Sequence, residues 1–89
     1  MEYKAIKTSP KDNVAIAVQP IPEGKTVTVP DSGELVANQE IPLGHKIALV
    51  PIAKGADIIR YGEVICIAAE DIKPGDWIHV HNTINEVRS

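Results

Sequence analysis

Seven prolines and six glycines are scattered through only 89 residues, and that scatter does most to limit what the chain can fold into. Inside a helix a glycine costs about 1 kcal/mol and a proline about 3. Nowhere do apolar residues recur at i, i+3, i+4 and i+7 for three turns. What recurs is alternation. Val14, Ile16 and Val18 alternate with Ala15 and Ala17, and Val27 and Val29 with Thr26 and Thr28 until Pro30 stops the run. Ile47 and Leu49 follow Lys46, Val64 to Ile67 is a short apolar run, and Trp77-Ile78-His79-Val80-His81 alternates again. Period two with β-branched enrichment is the strand signature. The chain is expected to be all-β, with almost no helix.

A small repeat punctuates it. Ile21-Pro22-Glu23-Gly24, Ile41-Pro42-Leu43-Gly44, Ile52-Ala53-Lys54-Gly55 and Ile72-Lys73-Pro74-Gly75 all read Ile-x-x-Gly, and each precedes a strand candidate. An apolar anchor followed by a glycine able to take positive φ describes a corner. Four corners in so short a chain predict bent strands that switch sheets, not a flat meander.

Size and charge exclude several functions. A chain of this length buries roughly 60–65% of its unfolded surface, so residues 1–89 are expected to form one domain with one core. A formal net charge of −3 offers no basic patch for nucleic acid. Three aromatic residues, Tyr3, Tyr61 and Trp77, are too few for base-stacking platforms. One cysteine excludes both a disulfide framework within the chain and a multi-thiolate zinc site. Neither a signal peptide behind Met1 nor a membrane-spanning stretch is visible, so a soluble, cytoplasmic protein with no membrane partner is expected.

Three histidines carry most of the chemical interest. His79 and His81 are two apart on the expected strand, so both should project from one face with Trp77, while Ile78 and Val80 point into the core. Their Cα atoms would lie about 7 Å apart, close enough to share a metal or an anion, and Asn82 adds an amide. His45 follows the corner glycine Gly44, where a rigid scaffold can present a general acid or base. Lys46 beside it favours an anionic substrate. Arg60, in Arg60-Tyr61-Gly62, offers a planar fork suited to a carboxylate. Two histidines do not complete a metal site, and Arg60 could equally pair with Asp57 or Glu63. Cys66, between Ile65 and Ile67, reads as core filler.

Four motifs in order then resemble one family: Asp12 to Ala17, Ile41 to Leu49, Ile59 to Ile65 and Asp71 to Asn82. They are similar to the altronate and galactarate dehydratases, over roughly Asp12 to Asn82. The resemblance implies a compact β-clip fold of the SAF type. Single-chain members carry such a segment at the N-terminus, whereas others, including the sulfolactate sulfo-lyases, have a separate small subunit. An 89-residue chain ending soon after His-x-His-Asn resembles that small subunit, or an excised domain. Position 66 is Cys where the family pattern usually has Gly, and the His-x-His-Asn ending sits nearer the altronate and sulfolactate branches.

The implied chemistry is β-elimination beside a carboxylate, helped by iron(II) or another divalent metal. A base takes the proton alpha to the carboxylate, an acid assists the leaving hydroxide, and cations or metal stabilise the dianion. In that scheme His45 is the catalytic candidate. Lys46, Arg60 and Asn82 are candidates for the sugar-acid substrate, and His79 and His81 for the metal. One small core holds too few convergent groups for the whole pocket, so a large dehydratase subunit is the expected partner. Without it, the open surface is expected to favour self-association. The alternatives are the small subunit of a sulfolactate-type sulfo-lyase and a non-catalytic β-clip module that only docks on its partner or binds a ligand.

Overall fold

The computed structural model describes residues 2–85, and the chain is all-β. Among the described residues nine strands run in the order β1 (Tyr3–Ile6), β2 (Val14–Ala17), β3 (Thr26–Val29), β4 (Gly33–Val36), β5 (Lys46–Ala48), β6 (Asp57–Arg60), β7 (Glu63–Ala68), β8 (Trp77–Ile78) and β9 (Thr83–Ile84). Six of them form one sheet in the order β4-β3-β1-β2-β5-β8, and β6-β7-β9 form a second. Only β1 and β3 pair in parallel among these neighbours; the others are antiparallel.

All four Ile-x-x-Gly segments are corners ahead of strands, as their spacing predicts. Their glycines take φ of 84°, 81°, 86° and 93° at Gly24, Gly44, Gly55 and Gly75. The corners also share one hydrogen-bond pattern. Each glycine N–H donates to the carbonyl of a buried alanine: Gly24 to Ala37 at 2.8 Å, Gly44 to Ala17 at 2.9 Å, Gly55 to Ala68 at 2.8 Å and Gly75 to Ala48 at 2.8 Å. Each alanine N–H returns a bond to the carbonyl of the residue after that glycine, namely Lys25, His45, Ala56 and Asp76. Alanine suits the position because a larger side chain would enter the core beside the turn.

The isoleucines that open the corners meet in pairs. Ile21 and Ile41 exchange backbone hydrogen bonds at 2.9 and 2.8 Å, and Ile52 and Ile72 do so at the same distances. Each pair anchors its own apolar cluster. Ile21 and Ile41 pack with Ala5, Ala17, Val27 and Ile47, while Ile52 and Ile72 pack with Val14, Ala48, Ile58 and Ile78. Full burial of such a side chain contributes about 1.5–3 kcal/mol. The chain is thus a duplication in structure: Ile21, Gly24, Ala37, Ile41 and Gly44 occupy the places that Ile52, Gly55, Ala68, Ile72 and Gly75 occupy in the second half.

Two expectations need correction. The strand that begins at Trp77 stops at Ile78 instead of running to His81, and Val80 is 79% exposed instead of pointing inward. The reason is a turn at residues 79–82, in which the Asn82 N–H bonds the His79 carbonyl at 3.1 Å. One core also becomes two clusters. They meet across β2 and β5, whose Val14 and Ala48 face one cluster while Ala15, Ala17 and Ile47 face the other.

The corner glycines are not equally replaceable. A Cβ at Gly75 would lie 2.1 Å from the Val36 carbonyl oxygen, whereas a Cβ at Gly44 meets nothing within 4 Å. Gly44→Ala should therefore cost about 1–2 kcal/mol, the left-handed backbone penalty alone. Gly75→Ala adds a backbone clash and should cost at least about 2 kcal/mol more than Gly44→Ala. Urea unfolding followed through the single tryptophan would rank the two.

Candidate functional site

Two corners from opposite halves of the duplication lie side by side and build the site. The Gly44 corner delivers His45, and the Gly75 corner delivers Trp77. β5 and β8 hold them together, with Ile47 opposite Trp77 and Lys46 opposite Ile78. The His45 backbone is fixed at both ends: its N–H donates to Pro42 at 3.0 Å, and its carbonyl accepts from Ala17 at 2.9 Å. The half-buried imidazole accepts a hydrogen bond at Nδ1 from Trp77 Nε1, at 3.1 Å.

The other two histidines join the same cluster. The His79 ring stacks on His45 at 4.9 Å between centroids and on Trp77 at 5.0 Å. His81 leans on Trp77 at 5.2 Å. The expected grouping of His79 and His81 around Trp77 is therefore present, although a turn and not a continuous strand produces it. His45 joins them, which spacing alone did not reveal.

Asn82 explains how that turn is held. Its Oδ1 accepts from the His79 backbone N–H at 3.0 Å, and its Nδ2 donates to the Trp77 carbonyl at 2.9 Å. The residue is 4% exposed. The side-chain amide suggested for substrate is engaged inside the fold, where it orients Trp77 and His79. Thr83 adds a hydroxyl bond to the His79 carbonyl at 2.9 Å.

Lys46 and Arg60 take different places. Neighbours on a strand face opposite sides, and Lys46 lines a groove of about 380 Å³ with His79, Cys66, Val80 and Thr83. Cys66 is buried there; burial pushes its thiol pKa up, and the nearby Lys46 charge opposes the shift. Arg60 sits at the β6–β7 hairpin, next to the end of β2 that lies away from His45. Its guanidinium donates to the Tyr61 hydroxyl at 3.1 Å and lies 4.6 Å from that ring's centre. The structure does not bring Arg60 to the histidines.

The hairpin has its own buried brace. Asp12 is 5% exposed, accepts from the Gly62 N–H at 2.8 Å and from the Thr8 hydroxyl, and supports a turn in which Tyr61 and Gly62 have φ of 58° and 73°. Asn13 beside it accepts from the Ile59 N–H at 2.8 Å and donates to the Asp57 carbonyl at 2.9 Å. Burial works to raise the Asp12 pKa, but the hydrogen bonds from Thr8, Gly62 and Tyr61 outweigh it and hold it below the ordinary aspartate value. Among the described residues, no group of three or more His, Cys, Asp or Glu side chains is placed to hold a metal ion. His79 and His81 would need further ligands from elsewhere. No helix among these residues is long and apolar enough to cross a membrane.

Comparison with known proteins places this geometry in context. The altronate/galactarate dehydratase SAF domain family matches residues 3–86. Altronate dehydratase of Escherichia coli strain K12 is 45% identical over 83 residues, which is 93% of this chain and 16% of that enzyme. Galactarate dehydratase (L-threo-forming) of the same organism is 45% identical over 73 residues, 82% of this chain and 14% of its own length. The alpha subunit of (2R)-sulfolactate sulfo-lyase from Paracoccus pantotrophus is 40% identical over 48 residues, covering 54% of this chain and 72% of that subunit. The chain thus spans about a sixth of the dehydratases it matches.

Two measurements probe these braces. Asp12 has a lowered pKa in the folded state, so its contribution to stability is complete above the ordinary carboxylate range. That contribution is lost as pH falls through it toward the folded value. Asp12→Asn should flatten the acid limb of a stability–pH profile and lower stability near neutrality. Asn82→Ala leaves the His79 N–H and the Trp77 carbonyl without their side-chain partner, and should cost about 1–3 kcal/mol. Its tryptophan emission should shift as the rings loosen.

Proposed function

Because the chain belongs to the altronate/galactarate dehydratase SAF domain family, we propose that it works as the SAF portion of a sugar-acid dehydratase. It would supply one wall of an active site whose remainder lies on a much larger catalytic part, either fused to it or present as a separate subunit. The family match across residues 3–86 carries this reading. The reaction is elimination of water from an aldonate or aldarate in the cytoplasm. The proton alpha to the carboxylate leaves to a base, and negative charge collects on the carboxylate as the β-hydroxyl departs.

His45 is the group of this chain best placed to touch the reacting substrate. It follows a corner, its backbone is held at both ends, and among the described residues only one edge of its ring is committed to a hydrogen bond. Lys46 would add positive charge to the neighbouring groove. A divalent ion of the implied kind would take ligands from the larger part, since the described residues offer no complete set. A separate-subunit arrangement, with sulfite leaving in place of water, is the second reading. The alpha subunit of the sulfo-lyase favours it, because this chain matches 72% of that subunit's length.

Reconstitution with the larger part, assayed on altronate, galactarate and (2R)-sulfolactate, tests both readings. Turnover should require both parts, and the 89-residue chain alone should be inactive. His45→Ala in the assembled enzyme should lower kcat by about 100-fold or more, with assembly intact. Robust turnover by the isolated chain would overturn the proposal.

A further inference from the structure

The Trp77–His45 hydrogen bond limits what His45 can do. An indole nitrogen is a donor only, so the direction of this bond is set: Trp77 Nε1–H gives, and His45 Nδ1 receives. With Nδ1 accepting, the ring's N–H resides on Nε2. Ring orientation is held by independent contacts, the stacking of His79 on His45 and of Trp77 on His79. Trp77 is itself positioned by three bonds. Its backbone N–H donates to Gln39 Oε1 at 2.8 Å, its carbonyl accepts from Asn82 Nδ2 at 2.9 Å, and its side chain makes the indole bond.

A histidine presenting Nε2–H has no lone pair there with which to take a proton. Adding a proton at Nδ1 would set two donors against each other across 3.1 Å. Neither base nor acid chemistry suits that arrangement. What suits it is donation of a hydrogen bond to an oxygen that gains negative charge. Such preorganised donors act most strongly on the transition state, and removing one typically costs about 100- to 1,000-fold in kcat.

We infer that Trp77 is a positioning residue that fixes His45 as an Nε2–H donor to the substrate's developing oxyanion, so that the base and the acid of the elimination lie on the larger part. This rests on the preceding reading that His45 faces substrate. No bond to this chain forms or breaks: the proton lost from carbon passes to the larger part's base, and the leaving hydroxide takes a proton from the larger part's acid.

Two experiments separate this inference from the reading beneath it. In the ¹⁵N-labelled 89-residue chain, a scalar coupling across the hydrogen bond should link Trp77 Nε1 to His45 Nδ1. Histidine nitrogen shifts should place the proton on Nε2. A proton on Nδ1, or no coupling in a folded chain, overturns the inference whatever the activity. In the assembled enzyme, His45→Gln keeps a side-chain N–H donor but cannot exchange protons. It should stay within about tenfold of the unmodified enzyme's kcat, while His45→Ala falls about 100-fold or more. Trp77→Phe should lower kcat about 10- to 100-fold with little change in KM. If His45→Gln is as inactive as His45→Ala, His45 transfers a proton and the donor role is wrong. If His45→Ala keeps full turnover, the underlying reading falls and takes the donor role with it.

Discussion

The two hydrogen bonds that tie a corner glycine and the residue after it to the facing alanine are the constraint on which the rest of the structure depends. The pattern occurs four times, and each instance ties a reversal of the chain to a segment well removed in sequence. Glycine is needed for the positive φ, and alanine for its small side chain beside the turn. The isoleucine three residues ahead of each glycine then enters the core, where it bonds the matching isoleucine of another corner. Secondary structure, tertiary packing and the duplication thus share one local device. In so small a domain this matters, because little apolar surface is available to fix the strands by burial alone.

The candidate site follows from the same device. Corners at Gly44 and Gly75 are equivalent in the two halves, yet the residues after them differ: His45 and Lys46 in one, Asp76 and Trp77 in the other. Since β5 and β8 pair, the two sets are brought into contact and make an asymmetric cluster from a symmetric scaffold. Asp76 stays with its own turn, where it accepts from the Lys73 N–H at 2.8 Å and from Asn38 Nδ2 at 2.8 Å. Trp77 reaches across to His45 instead. Backbone geometry is invested in stability, while the side chains one and two places past each glycine remain available for chemistry.

How much of this could be read from the residues varies with their physics. Alternation in Thr26–Val29 and the Ile-x-x-Gly corners was legible, because period and turn chemistry are local. So was the family, through four motifs in order, which the match to residues 3–86 supports. β1, β4, β6 and β9 were not visible, since Gly33–Val36 and Asp57–Arg60 carry little two-residue alternation and are held by their neighbours. Strand period misled at Val80, because one buried asparagine holds a turn that ends the strand three residues early. The Trp77–His45 bond joins residues far apart in sequence and depends on strand pairing that no local pattern encodes. Arg60 and Lys46 both looked suited to an anion, and only the topology sets Arg60 at the end of β2 that lies away from Lys46 and the histidines.

The interlocking of the corners bears on how such a chain reaches its native state. The second half's Gly75 is clamped by Ala48 in β5, whose own corner at Gly44 is clamped by Ala17 in β2. Ile21 must find Ile41, and β1 must find β3 in parallel, before the first cluster can close, and Ile52 must find Ile72 before the second can. Little of this is available to a partly formed hairpin. Loop-closure entropy comes before most of the reward, which is the condition for slow, highly cooperative folding in small β proteins. The duplication therefore does not divide the molecule into two separable folding units. Each half holds atoms that complete the other, and partial intermediates would expose unpaired strand edges that invite association between copies.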